Sequence, residues 1–147
     1  MKQIRLPFTV AVALVVTILG VGVSRSVVLA QAKTTWSGIF TAEQVERGKA
    51  KAAAECSACH GNTLKGDLAP ALIGADFIDH WYDARLAELA LRIQNTMPQS
   101  NPGSLKPEEY ADVIAYLLSE NGFPAGSETL KMTPVDALDA IKITKTR

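Results

Sequence analysis

Apolar and polar residues change rhythm several times along this chain. Residues 6–23 are an uncharged, mostly apolar run behind a basic start at Lys2 and Arg5. Further on, apolar positions thin out and take up helical spacing. Leu86, Leu89, Ala90 and Ile93 fall on one face of a helix predicted over 85–96. Tyr110, Val113, Ile114, Leu117 and Leu118 form the buried stripe of another over 107–121. A third helix is predicted over 41–55 from its start, where Thr41 and Gln44 fit a capping box and Glu43 and Glu46 suit the positive helix end. Met97-Pro98 stops the helix over 85–96, because a residue before proline is pushed out of the helical region. Ser104 is the candidate cap for the last long helix, Pro107 fits its first turn, and Asn121-Gly122 ends it. Residues 61–75 and 97–106 have no period and carry the Gly, Pro and Asn of loops. A short helical turn is expected over 75–80 and another near 134–141. No alternation predicts a strand, and nothing repeats. The pattern is all-α, three main helices joined by long loops.

The 147-residue length suits one domain plus a targeting segment. The basic start, the apolar run and the small-x-small triplet Ala30-Gln31-Ala32 predict a secretory signal peptide over 1–32, cleaved after Ala32, with Ala30 as the second choice of site. The alternative is a retained membrane anchor: the 18 residues of 6–23 lie at the lower edge of spanning length, and Pro7, Gly20 and Gly22 weaken it. The expected order is then a lead-in over 33–40, a domain over 41–123 and a C-terminal tail over 124–147. Either way the remainder is exported, which in a bacterium means the periplasm. Removing Lys2, Arg5 and Arg25 from a balance of 15 basic and 15 acidic residues leaves 12 against 15, a net of −3. No basic stripe is present to neutralise phosphates, which excludes nucleic acid as a partner.

The chemistry centres on Cys56-Ser57-Ala58-Cys59-His60, which reads C-x-x-C-H, the attachment signature of c-type haem. Two thiols three residues apart at a helix end can each add to a porphyrin vinyl group, and the tether then holds His60 under the iron. Three other readings of these residues exist. A thiol–disulfide pair usually sits beside a βαβ pattern, and none is present. A zinc site would need about four ligands, and Cys56, Cys59, His60 and His80 are poorly spaced for it. A buried pair of small apolar side chains explains nothing about the histidine.

One covalent haem c would also complete a core that three modest helices leave small. The haem-free chain is accordingly expected to be largely unfolded. The iron needs a second ligand, for which Met97, Met132, His80 and lysines are candidates. Methionine is ordinarily a core filler. Met97 is nevertheless the choice, because it lies 37 residues past His60 at a helix-to-loop break that Pro98 stiffens. A thioether is a soft, neutral donor that raises the reduction potential.

Cys56-Ser57-Ala58-Cys59-His60-Gly61, Ala69-Pro70-Ala71-Leu72, Met97-Pro98 and the run from Tyr110 to Leu117 together resemble a class I cytochrome c over residues 40–122. The resemblance implies an all-α class I cytochrome c fold wrapped on one haem with His60/Met97 ligation. It implies that the Pro70 carbonyl orients the His60 imidazole, and that Gly48 and Tyr116 lie where the first and last helices cross. Ala52 departs from the family, which often has an aromatic residue there. Trp81 or Arg85 would reach a haem propionate, with core packing and a solvated surface charge as their ordinary roles; residues 69–73 would form part of the surface where a redox partner docks, with core packing as the role of Leu72. A narrower likeness lies in Trp36-Ser37-Gly38-Ile39-Phe40-Thr41, Gly74-Ala75-Asp76-Phe77, Pro102-Gly103-Ser104-Leu105 and Asn121-Gly122-Phe123-Pro124-Ala125-Gly126. These stretches look like the cytochrome c modules associated with quinoprotein dehydrogenases, which implies an exported pyrroloquinoline quinone (PQQ) enzyme as electron donor.

The expected function is one-electron transfer between redox protein partners, a dehydrogenase donor and an oxidase or cytochrome acceptor. It is not catalysis, and no small-molecule substrate meets the iron. Two alternatives stand beside it: a haem subunit held in a larger oxidoreductase complex, and a ligand-binding or peroxidase-type haem protein.

Overall fold

A computed structural model of the chain describes residues 32–146. The signal peptide and anchor expectations fall on residues 1–31 and lie outside the described residues, apart from Ala32 at the predicted cleavage site. The order of elements is β1 (Lys33–Thr34), a 3₁₀ turn (Thr35–Ser37), α1 (Ala42–Glu55), α2 (Ser57–His60), α3 (Ala75–Trp81), α4 (Leu86–Thr96), α5 (Pro107–Glu120), α6 (Val135–Asp139) and β2 (Ile141–Lys142). No helix among the described residues is long and apolar enough to cross a membrane.

The helices start and stop for local reasons. The Thr41 hydroxyl accepts from the Gln44 N–H at 3.3 Å, and the Gln44 side-chain oxygen accepts from the Thr41 N–H at 3.4 Å, the reciprocal capping box. α5 begins differently from the expectation. Its N-cap is Lys106, not Ser104, and the Glu109 carboxylate accepts the otherwise orphaned Lys106 N–H at 2.9 Å. Pro107 at the first helical position loses no hydrogen bond there.

α1 and α5 pack against each other along their length, crossing at Gly48. A Cβ at Gly48 would overlap the Asp112 carbonyl and crowd Tyr116 Cβ, so only glycine allows this approach. Polar groups lock the same interface. Arg47 holds the buried Asp112 carboxylate bidentately, Nε to Oδ2 at 2.7 Å and Nη2 to Oδ1 at 2.9 Å, and Lys51 pairs with Glu109 at 2.9 Å.

Residues 124–146 are not a separate tail; they belong to the same compact unit as the helices. Leu130, Met132, Leu138, Ile141 and Ile143 are buried in the main core with Phe40, Leu86, Tyr110, Ile114 and Leu118. The Gly126 N–H donates to the Phe40 carbonyl at 2.7 Å, where Gly126 lies so close to Gly38 that a side chain would not fit. The buried Gln44 amide exchanges two hydrogen bonds with the Leu130 backbone, at 3.0 and 2.8 Å. The chain then returns to its start: β2 pairs in parallel with β1, Lys33 opposite Ile141, and the Trp36 indole donates to the Thr144 carbonyl at 3.0 Å. These two-residue strands are too short to leave a period-2 signature. The apolar core is therefore larger than the three helices alone supply.

Candidate haem site

α1 ends where the thiols begin. The Cys56 N–H makes the last bond of the helix, to Ala52 O at 2.9 Å, and the chain tightens into the single turn of α2, closed by His60 N to Cys56 O at 3.0 Å. That turn brings Cys56, Cys59 and His60 to the wall of one cavity of about 530 Å³. Both cysteines are free and partly exposed. Burial, with a smaller push from the Glu55 carboxylate, raises the Cys56 thiol above its ordinary value of 9.0.

The loop after His60 folds back onto this turn. The Gly66 N–H donates to the His60 carbonyl at 3.0 Å, and the Ala69 N–H to the Cys59 carbonyl at 2.9 Å. Pro70 is thereby set beside the imidazole, and His60 Nδ1 lies 2.6 Å from its carbonyl oxygen. A carbonyl can only accept, so Nδ1 carries a proton, and in the neutral tautomer this contact selects, Nε2 is the nitrogen that can ligate a metal.

Asn121, the C-cap of α5, secures the far end of the loop. Its side chain donates to Leu72 O at 3.1 Å and accepts from Gly74 N at 2.9 Å. Leu72, Phe77, Leu89, Ile93, Val113 and Leu117 give the cavity apolar walls, and Met97 enters its lining from the C-terminal end of α4. Met97 is in extended conformation, and its N–H closes α4 on Ile93 O at 2.9 Å.

The remaining sequence candidates divide. Pro70, Leu72 and Trp81 line the cavity, as does His80, whose ring meets the Trp81 ring edge-on at 5.0 Å. Arg85 does not line it. Arg85 is the residue before α4, and its guanidinium donates to the Asp139 carbonyl at 3.2 Å. Arg92, two turns on along α4, lines the cavity instead. Met132 is buried in the main core and is not a lining residue. Among the described residues no three His, Cys, Asp or Glu side chains gather to hold a metal ion, so the zinc reading has no donor set.

Sequence reading missed the roles of Tyr110, Asn121 and Arg92. Tyr110 reads as one more core residue of the α5 stripe, and no local signal marks the partner of its hydroxyl.

The residues present fit a covalent haem: two adjacent thiols, an imidazole with the correct nitrogen free, a thioether, and apolar walls between them. Comparison with known proteins agrees. Residues 43–117 match the family described as "Cytochrome C oxidase, cbb3-type, subunit III". The chain is similar to a solved chain of the sulfane dehydrogenase SoxCD from Paracoccus pantotrophus, with a TM-score of 0.54 and 20% identity over 73% of this chain. It spans 61% of that chain's length, and the likeness is one of fold. No curated protein matches in sequence. With a family match over half its length, a helical fold and a single C-x-x-C-H motif on a haem-sized apolar cavity, this chain belongs to the cbb3-type cytochrome c family and is a class I cytochrome c, a haem protein of electron transfer.

Proposed function

We propose that the protein is an exported one-electron carrier of the periplasm, with Cys56 and Cys59 as the thioether residues and His60 and Met97 as the axial ligands of one haem c. The observation that carries this reading is the single cavity whose wall holds both thiols, the Pro70-anchored imidazole and Met97. Bound haem supplies a metal centre that gains and loses one electron. The chain's own residues do the rest. The two cysteines fix the group covalently. The Pro70 carbonyl holds the His60 ring and makes it a stronger donor. Met97 would supply the second ligand to the iron, which would leave no position for a substrate. Leu72, Ile93, Val113 and Leu117 exclude water and favour the less charged, reduced state.

The proposed donor is an exported dehydrogenase of the quinoprotein class, and the acceptor an oxidase or a second cytochrome. The likeness of fold to a chain of a dehydrogenase supports a redox enzyme as partner. The test is expression with haem maturation in the periplasm. The purified protein is expected to carry one haem by mass and to show a far-red iron–sulfur absorption band when oxidised, absent in Met97→His. The reduced protein should not bind carbon monoxide at neutral pH. A colourless product would overturn the haem assignment, and rapid carbon monoxide binding would overturn the carrier reading. Reduction by a PQQ dehydrogenase in a mixed assay tests the donor.

A further inference from the structure

Met97 stands at the first position of an irregular loop, and a phenol ties that loop to the body of the domain. Tyr110 lies on α5 and is fully buried. Its hydroxyl donates to the Met97 carbonyl at 2.8 Å and accepts from the Leu105 N–H at 3.4 Å. One oxygen therefore closes both ends of the loop over 97–105. The loop's own backbone bonds are local, Asn101 N to Pro98 O at 2.9 Å and Ser104 N to Asn101 O at 3.3 Å, and residues 99–104 are exposed. Met97 is thus gripped twice, through its N–H by α4 and through its carbonyl by α5.

We propose that Tyr110 is a positioning residue whose hydroxyl holds Met97 at the cavity and so governs how readily an outside ligand replaces it. This rests on the reading of Met97 as an axial ligand. An outside ligand can take that position only when the Met97 segment swings away. The hydroxyl bonds exist only in the closed arrangement, so they bias the balance toward it. Tyr110→Phe keeps the ring and its packing and removes one oxygen. The Met97 carbonyl and the Leu105 N–H then regain partners only when the loop opens to water. A single hydrogen bond of ordinary net strength corresponds to about a fivefold change in that balance.

The experiment is an imidazole titration of the oxidised, full-length holoprotein, read by loss of the far-red band. Y110F is expected to keep the band without imidazole and to bind imidazole about fivefold more tightly than the wild type. Ile114→Val, on the same helix and in the same core, should lower the unfolding temperature without changing imidazole affinity. Equal affinity in Y110F and wild type overturns the proposal. So does an I114V that matches Y110F, since the effect would then be general loosening. A wild type with no far-red band is a separate result: it removes Met97 from the iron, and the proposal falls with it. If Y110F fails to accumulate, hydrogen exchange of the wild-type holoprotein decides. A protected Leu105 amide supports the tie, and an amide exchanging as freely as an exposed one overturns it.

Discussion

At Gly48 the missing Cβ sets how closely two helices approach. Substitution by alanine there would gain about 1 kcal/mol of helix propensity. It would also place a methyl group inside the Asp112 carbonyl and against Tyr116 Cβ, which backbone cannot easily yield. Overpacking of this kind costs about 1–3 kcal/mol, and here it strikes the main helix crossing, so the upper part of the range is expected for Gly48→Ala in denaturant unfolding of the holoprotein. The same scale carries a pH dependence. The Lys106 N–H, and after it the Lys51 ammonium, hold the Glu109 carboxyl below its ordinary value of 4.5. Glu43 is lowered likewise, first by its own backbone N–H and then by the Thr41 hydroxyl. A group whose folded-state pKa is depressed contributes fully above its unfolded value and loses that contribution as pH falls through the folded one. The unfolding temperature should therefore fall as the pH drops below the ordinary value of 4.5, and Glu109→Gln should be less stable near neutral pH with a shallower fall, as followed by circular dichroism. Most of this was legible in the sequence. The cap at Thr41 and the first-turn Pro107 stand in it as written, and the glycine of the crossing was implied by the cytochrome c resemblance. Lys106 in place of Ser104 was not, because which residue caps depends on where Glu109 folds back.

α4 and α5 lie where periodicity places them, since an apolar stripe at 3.6-residue spacing has one way to be buried, and α1 lies where its capping box starts it. The loops are another matter. Residues 61–74 look featureless as sequence, yet they are tied down at His60, Cys59, Leu64 and Asn121 by bonds that span the site. Arg85 shows the same limit. The cytochrome c resemblance made it a candidate for a haem propionate, but the chain near Asp139 folds alongside and takes its guanidinium. Arg92, two turns further along α4, meets the cavity instead. Which of the two arginines meets the cavity is decided by position along α4, and at its start the chain near Asp139 already holds Arg85.

For the molecule as a whole, the C-terminal segment changes the account of stability. Sequence reading left the core small without haem and residues 124–147 as a tail. In the fold, five buried apolar side chains of that segment close the core on Phe40, Leu86 and Tyr110. At roughly 1.5–3 kcal/mol for each such side chain, their burial is comparable with the whole net stability of an ordinary domain. A chain ending at residue 123 is therefore expected to give no cooperative unfolding transition and little haem-loaded protein, measured against the full chain under identical expression. A truncated protein with an unchanged transition would show the segment to be dispensable. Half-buried Ile93 packs against both the main core and the smaller cluster of Ala52, Leu64, Val113 and Leu117, and both reach the cavity, through Phe77 and Leu89 and through Val113 and Leu117.

The sequence by itself determined the covalent chemistry, because a thiol pair and the next histidine are neighbours along the chain and their spacing alone carries the motif. It determined the helices too, through a period written in consecutive residues. Only the tertiary structure decided that Pro70 faces His60, that Tyr110 grips Met97, that Arg92 rather than Arg85 lines the cavity, and that the last residues close the core. Each of these joins residues through space rather than along the chain, and the register of such contacts exists only once the helices have packed.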